Sequence, residues 1–247
     1  VSAQGSAEGT VVAIDGPSGS GKSSTARGVA SARGLWYLDT GAMYRAMTWW
    51  MQHHRIDVDD AAAVAEAAGR PDITMGTDPA DPTVRVDGRD VAREIRTREV
   101  TAQVSAVSAV PAVRNRLVAE QREVIARGRR RAGGIVVEGR DITTVVAPDA
   151  AVKIYLTASA AARADRRSGE LGGDVGAVQA DLVRRDRIDS SREDSPLTQT
   201  ADALELETTG LGLDDVVAIV LELVDRAGGS GAAQTAGEGR AESSAAR

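Results

Sequence analysis

The chain has 247 residues, of which 42% are hydrophobic and none is cysteine, and its formal net charge is −6. A chain of this order accommodates one large domain, or a core with an inserted lobe, and buries roughly 70% of its unfolded surface, so covalent staples are not required. The lack of cysteine excludes a disulfide framework, a thiolate nucleophile and a Cys-ligated metal, and an aromatic content of 2% with an acidic balance disfavours a stacking single-strand binder or a globally basic nucleic-acid protein.

Val1 to Gly9 is small and polar, lacks the charged-then-apolar layout of a signal peptide, and is expected to be a solvated tail. Thr10 to Asp15 (TVVAID) is a β-branched apolar run that predicts a strand, followed by glycines and a helix from Lys22 to about Ala32. Trp36 to Leu38 is a second strand candidate, and Gly41 to about His53 reads as a helix. Pro71 to Asp90 sets Pro, Gly and Asp turns around short alternating runs such as Thr83 to Val86, which predicts a small β-containing insert. Thr97 to Arg127 predicts a helical pair interrupted at Pro111. Ile135 to Val137 and Val152 to Leu156 are buried-strand candidates, and Gly169 to Gly176 (GELGGDVG) reads as a flexible loop whose functional version is a mobile lid. Ala203 to Leu206 is a fifth strand candidate, Asp214 to Asp225 a closing helix, and Gly228 to Arg247 a second tail without periodicity. Strands alternating with helices predict an α/β fold with a parallel sheet covered on both faces. No stretch approaches the roughly 18 apolar residues of a membrane span, so the expectation is a soluble, cytoplasmic protein.

The sharpest motif is Gly16-Pro17-Ser18-Gly19-Ser20-Gly21-Lys22-Ser23, which satisfies G-x-x-x-x-G-K-[ST] between a strand and a helix. Glycines let successive backbone N–H groups face one centre, and the helix N-terminus adds partial positive charge there. Lys22 can reach β- and γ-phosphates, and Ser23 can offer its hydroxyl to Mg²⁺. Lysine and arginine together number 30, yet only Lys22 and Lys153 are lysines, and one of the two falls where a phosphate loop requires it. No lysine follows an asparagine, which disfavours a guanine-specific GTPase.

Three arginine-bearing segments follow elements that frame one crevice: Asp39 to Arg45, Gly139-Arg140-Asp141, and Arg184 to Arg192. Thr40 is placed to cap the helix after the second strand, with Arg45 about one turn further on. The planar fork of arginine grips phosphate oxygens in pairs, so these clusters predict an anionic substrate beside the triphosphate.

The segments IDGPSGSGKSS (Ile14 to Ser24), LDTGAMYRA (Leu38 to Ala46), EIRTREVTAQVSAVSAVPAVR (Glu94 to Arg114), VVEGRDITTVVAPDAAVKIYLTAS (Val136 to Ser159), RRDRIDSSREDSPL (Arg184 to Leu197) and DALELETTGL (Asp202 to Leu211) together resemble bacterial cytidylate kinases, members of the nucleoside monophosphate kinase group. The likeness runs from about Thr10 to Arg226. It implies a P-loop kinase three-layer fold with a parallel central sheet: a single kinase domain over 10–227, a monophosphate-binding insert at about 57–98, a lid at about 160–186, and tails at 1–9 and 228–247. The implied reaction transfers the γ-phosphoryl of ATP, with Mg²⁺, to CMP or dCMP. Gly16 to Ser24 would bind ATP, and Arg163 and Arg167 resemble the ATP-side arginines, a position for which Arg166 competes. Arg45, Arg140 and Arg192 resemble the arginines that hold the monophosphate or the transferring phosphoryl, with Lys22. Ser105, Arg114 and Asp141 match positions that read the cytosine edge, Arg185 and Asp189 match ribose-contacting positions, and Thr40 sits where a small hydroxyl lies near the substrate. One departure stands out. The family reads Gly-Arg-Asp-Ile-Gly-Thr where this chain has Thr143 at the second Gly, a position that would be strained by about 1–3 kcal/mol if its φ were positive.

His53 and His54 read as surface residues at a helix end, Trp36, Trp49 and Trp50 as packing groups, and Lys153 as structural or edge-exposed. Asp15 and Glu138 both end strands beside the loop, and either could order Mg²⁺ waters or the loop itself. The expected partners are ATP and CMP or dCMP, with no nucleic acid or membrane, acting on a monomer. The alternatives are a related kinase for UMP, AMP or another small acceptor, and a non-catalytic nucleotide-binding regulatory or RNA-interacting protein.

Overall fold

The computed structural model describes residues 9–130, 133–171, 174–192 and 194–238. The expected tail at 1–9 therefore lies almost wholly outside the described residues.

The apolar run Thr10–Asp15 forms β1, and the chain then turns through the glycine loop into α1, Lys22–Arg33. β2 is Trp36–Asp39 and α2 is Thr40–His53. A small lobe follows, built from α3 (Ala61–Ala67), β3 (Ile73–Met75), β4 (Val84–Val86), β5 (Arg89–Asp90) and a 3₁₀ turn at Glu94–Arg96. Its three strands make an antiparallel sheet of their own. α4 (Arg98–Ala109) and α5 (Pro111–Arg130) are separated where Val110 takes an extended conformation ahead of Pro111, as the restriction on residues before proline requires. β6 is Gly134–Gly139, β7 is Val152–Thr157, α6 is Ala160–Leu171, α7 is Val175–Ser190, β8 is Leu204–Glu207 and α8 is Leu213–Glu238.

The main sheet is parallel in the order β2-β6-β1-β7-β8. Alternation splits its side chains between two cores. Val11, Ala13, Leu38, Ile135 and Val137 pack toward α2, α4, α5 and the small lobe. Val12, Ile14, Tyr37, Val136, Ile154 and Leu156 pack toward α1 and α8. Each fully buried Ile or Leu of this kind contributes about 1.5–3 kcal/mol. The register pairs Asp15 with Gly139 and Asp39 with Glu138, so three strands end level and present polar termini along one edge. That edge is where ligands enter open α/β sheets.

Of the expected loop Gly169 to Gly176, Gly172 and Gly173 lie outside the described residues; α6 runs to Leu171 before them, and after them Asp174 caps α7 by accepting from Ala177 N at 2.8 Å. One expectation changes. α8 continues past Asp225 to Glu238, so the tail expected from residue 228 begins within a helix. Among the described residues no helix is long and apolar enough to cross a membrane.

Candidate functional site

The level strand ends open into a cavity of about 440 Å³. Ser18 to Ser24 line it, together with Thr40, Arg45, Ser105, Arg114, Arg140, Asp141, Arg167, Arg185, Asp189 and Arg192. Gly16, Pro17 and Arg163, which sequence reading also assigned to ATP, are not among the residues that line it. Sequence reading gave no role to Tyr44, Arg96, Thr101, Ser108, Thr208, Leu211, Leu213 or Val216, which also form the wall. Thr101, Ser105 and Ser108 recur at one-turn spacing on α4, so helical periodicity carries them onto the face that Ser105 occupies.

The phosphate loop is shaped by close approach. Gly16 has φ of 146°, and a Cβ there would lie 2.0 Å from the Leu156 carbonyl oxygen. Lys22 opens α1 but folds back, and its Nζ donates to Pro17 O at 2.7 Å. Burial, and then the nearby charge of Arg140, pull its pKa from 10.5 down to about 7, against the attraction of Glu138, Asp15 and Asp186.

Carboxylates hold the arginines in place. Asp189 on α7 accepts from Arg140 Nε at 2.9 Å and also from Arg192. Burial pushes this carboxyl upward, but Arg140 and Arg192 outweigh it and hold it below the usual range. Arg140 also donates to Gly16 O at 3.0 Å, and Arg192 to Ser108 Oγ at 2.9 Å. Arg45 donates to Asp39 Oδ2 at 2.8 Å, with Arg96 3.7 Å from the same oxygen. The Nε atoms of Arg45, Arg185 and Arg192 are all buried without a hydrogen-bond partner, and at Arg185 burial followed by repulsion from Arg140 lowers the pKa to about 10. Lys22 and Arg185 are thus both cations that an arriving anion would relieve.

At the far end, Arg114 donates to Asp141 and each is only 4% exposed. Burial raises the Asp141 carboxyl against the pull of Arg114 and Arg192. Arg114 also donates to Ser108 O at 3.3 Å and lies 5.6 Å from the centre of the Tyr44 ring.

The cap of α2 is Asp39, which accepts from Ala42 N at 2.8 Å, and not Thr40 as expected. The helix begins one residue earlier than its apolar pattern suggests. That places Thr40 inside it, where Oγ1 donates to Glu138 O at 2.7 Å. The strain anticipated at Thr143 is absent. Among the described residues only Arg55, Asp87 and Ser195 combine a side chain with positive φ. Thr143 lies instead in a π-helical turn, Ile142–Val146.

Asp15 and Glu138 also separate. Asp15 accepts from Ile142 N and from Thr143 N and Oγ1 at 2.7–2.9 Å, so it anchors the loop that carries Arg140 and Asp141. Glu138 accepts from the Tyr37 hydroxyl at 2.6 Å, and Lys22 and the Ser23 hydroxyl both act to lower its pKa. Its carboxyl is raised, first by burial and then by Asp39.

On the lid side, Arg163 is bound by Asp186 at 2.5 Å, Ala158 O at 3.1 Å and Ser18 O at 3.1 Å. Arg166 reaches the cavity wall beside Thr208, donating to its Oγ1 at 3.0 Å and its carbonyl at 2.5 Å. His53 and His54 are exposed at the end of α2 and stack on Trp49 and Trp50. Trp50 is buried and donates to Asp87 at 2.8 Å, and Trp36 and Trp49 pack against the same core. Lys153 donates to Asp202 at 2.5 Å.

A family model described as Cytidylate kinase matches residues 12–226. A cytidylate kinase of Streptomyces coelicolor is 59% identical, covering 87% of this chain and 92% of that protein. One of Rhodococcus jostii is 51% identical over 90% of this chain and 97% of that protein. One of Mycobacterium leprae is 48% identical over 89% and 97%.

Proposed function

This chain belongs to the cytidylate kinase family, and we propose that it transfers the γ-phosphoryl group of ATP to CMP or dCMP, giving ADP and CDP or dCDP. The observation that carries this reading is the single cavity that joins the phosphate loop to the buried Arg114–Asp141 pair.

The triphosphate lies on the loop N–H groups at the head of α1. Lys22 exchanges Pro17 O for the β- and γ-phosphate oxygens. Arg45, Arg140 and Arg192 grip the acceptor phosphate and the transferring group. Their carboxylate partners fix them beforehand, so little reorganisation is needed at the moment of transfer. Arg185 and Asp189 face the ribose and Thr40 the nearby phosphate. Asp141 accepts from the cytosine amino group, while Arg114 and Ser105 donate to its O2 and N3. Uracil presents a carbonyl there and leaves Asp141 facing another acceptor.

The attacking oxygen of CMP is already anionic, so no general base is required. A bond forms from that oxygen to the γ-phosphorus as the bond to the β-bridging oxygen breaks, and ADP leaves with the electron pair. The α6–α7 pair covers the ATP side and excludes water.

The site also fits Mg²⁺ arriving with ATP. The Ser23 hydroxyl and the Glu138 carboxylate both line the cavity and offer hard oxygens. Among the described residues no cluster of three or more His, Cys, Asp or Glu offers a resident cage, which suits an ion that keeps phosphates and waters as ligands. Bound there, the ion would neutralise charge on the β- and γ-phosphates.

Acceptor-dependent ADP release, measured over CMP, dCMP, UMP and AMP, tests the reading. CMP or dCMP should lead. A clear lead for UMP or AMP would overturn the acceptor assignment, and ATP binding without acceptor-dependent release would overturn the kinase assignment.

A further inference from the structure

We propose that Thr143 is a positioning residue, whose hydroxyl locks the Arg140–Asp141 segment onto the strand that feeds the phosphate loop. The inference rests on the acceptor reading above for its kinetic consequences, but its structural part stands on contacts alone.

Asp15 is the last residue of β1, and Gly16 begins the loop. The Asp15 carboxylate is fully buried, and burial raises its pKa while Thr143 and Ile142 pull it back. Ile142 N donates to Oδ1 at 2.9 Å, and Thr143 donates to Oδ2 twice, from N and from Oγ1, both at 2.7 Å. A buried carboxylate needs several donors to remain an acceptor, and the Thr143 side chain supplies one that a glycine could not. Three residues before Thr143, Arg140 crosses the same junction to donate to Gly16 O, next to Asp15, at 3.0 Å. Four hydrogen bonds therefore bind the 140–143 segment to the 15–16 segment, three on the Asp15 carboxylate and one on Gly16 O.

The same segment is also held by Arg114 on the Asp141 carboxylate and by Arg122 on the carbonyls of Val145 and Val146. Asp141 sits at φ −140° and ψ 27°, and the following residues wind into the π-helical turn, with Val145 N and Val146 N both donating to Asp141 O at 2.9 and 3.1 Å. Such wide turns are shaped by their anchors, and they recur at functional sites. Thr143 is 1% exposed and does not line the cavity, so its effect on substrate passes through Asp141 and Arg140.

The test compares T143A, which removes the hydroxyl and keeps a Cβ, with T143S, which keeps the hydroxyl. T143G runs alongside and carries the comparison if T143A does not fold. Two readouts are taken on the intact chain. In amide hydrogen exchange, residues 140–146 should exchange at least about tenfold faster in T143A than in wild type, the scale of losing a bond to a charged acceptor, with other segments unchanged. In steady-state kinetics, T143A should raise KM for CMP about five- to tenfold and KM for ATP less than about twofold, with T143S near wild type on both readouts. Exchange in 140–146 no faster than elsewhere would overturn the proposal. So would equal effects on both substrates, or a T143S variant no better than T143A. A wild type that does not phosphorylate CMP would instead overturn the acceptor reading, while the exchange comparison still decides the role of Thr143.

Discussion

Lys22 Nζ donates to Pro17 O at 2.7 Å, so the lysine of the phosphate loop is tied to the loop's own backbone. The bond explains how a buried cation is tolerated, and the pKa near 7 shows that the tolerance is incomplete. A phosphate anion restores the charge.

ATP binding should therefore take up a proton. At pH 8 the ligand-free Lys22 is mostly neutral, and it becomes ammonium once phosphates surround it. Calorimetry in buffers of different ionisation enthalpy should show uptake approaching about one proton at pH 8, fading below pH 6, and absent in K22A. Uptake that persists in K22A would refute the assignment. K22A should also lower kcat by roughly 10²–10³-fold, the scale of removing one aligned charge donor, with the fold intact.

Asp189 holds both Arg140 and Arg192, which are 19% and 8% exposed at their side chains. D189N removes the one carboxylate that both guanidiniums bond and should cost about 2–4 kcal/mol at pH 7. Because the folded pKa lies below the unfolded value of about 3.9, this stability is full above that value and is lost as pH falls through the folded one. Urea unfolding of wild type and D189N should show the gap closing in acid. A gap that stays constant from pH 7 to pH 3 would argue against a charge origin.

Much of this was legible beforehand, and the boundary has physical causes. TVVAID followed by GPSGSGKS announces its strand, loop and helix, because each piece depends only on neighbours in sequence. Pro111 likewise separates α4 from α5 by a local clash. Contacts between distant residues were not legible. Asp39 rather than Thr40 caps α2, and the Thr40 hydroxyl turns to Glu138, nearly a hundred residues on, because β2 lies beside β6. Thr143 read as a strained substitute for glycine, since nothing in its neighbours reveals the wide turn or the Asp15 carboxylate that receives it. Within the stretch Gly169 to Gly176 the glycines drew the reading, and the cap that Asp174 makes for α7 was not picked out.

Arg163 and Arg166 sit three residues apart on α6 and face different tasks. Arg163 ties Asp186, Ala158 O and Ser18 O, so R163A should lower Tm by about 5–10 °C, the equivalent of a broken buried pair. Arg166 reaches the cavity, and R166A should raise KM for ATP about 10–100-fold with Tm nearly unchanged. Thermal melts and ATP saturation curves on both variants check the division. A large KM effect in R163A with an unchanged melt would reverse it.

The central claim is that a nucleotide with a cytosine edge is read by the buried Arg114–Asp141 pair and phosphorylated by ATP. The ratio of kcat/KM for CMP to that for UMP, in wild type and in D141A, tests it most directly. Wild type should favour CMP by at least about 100-fold, because an unmatched buried polar group penalises the wrong base, and D141A should bring the ratio within about tenfold. A wild-type ratio near one, or a preference that survives unchanged in D141A, would contradict the account.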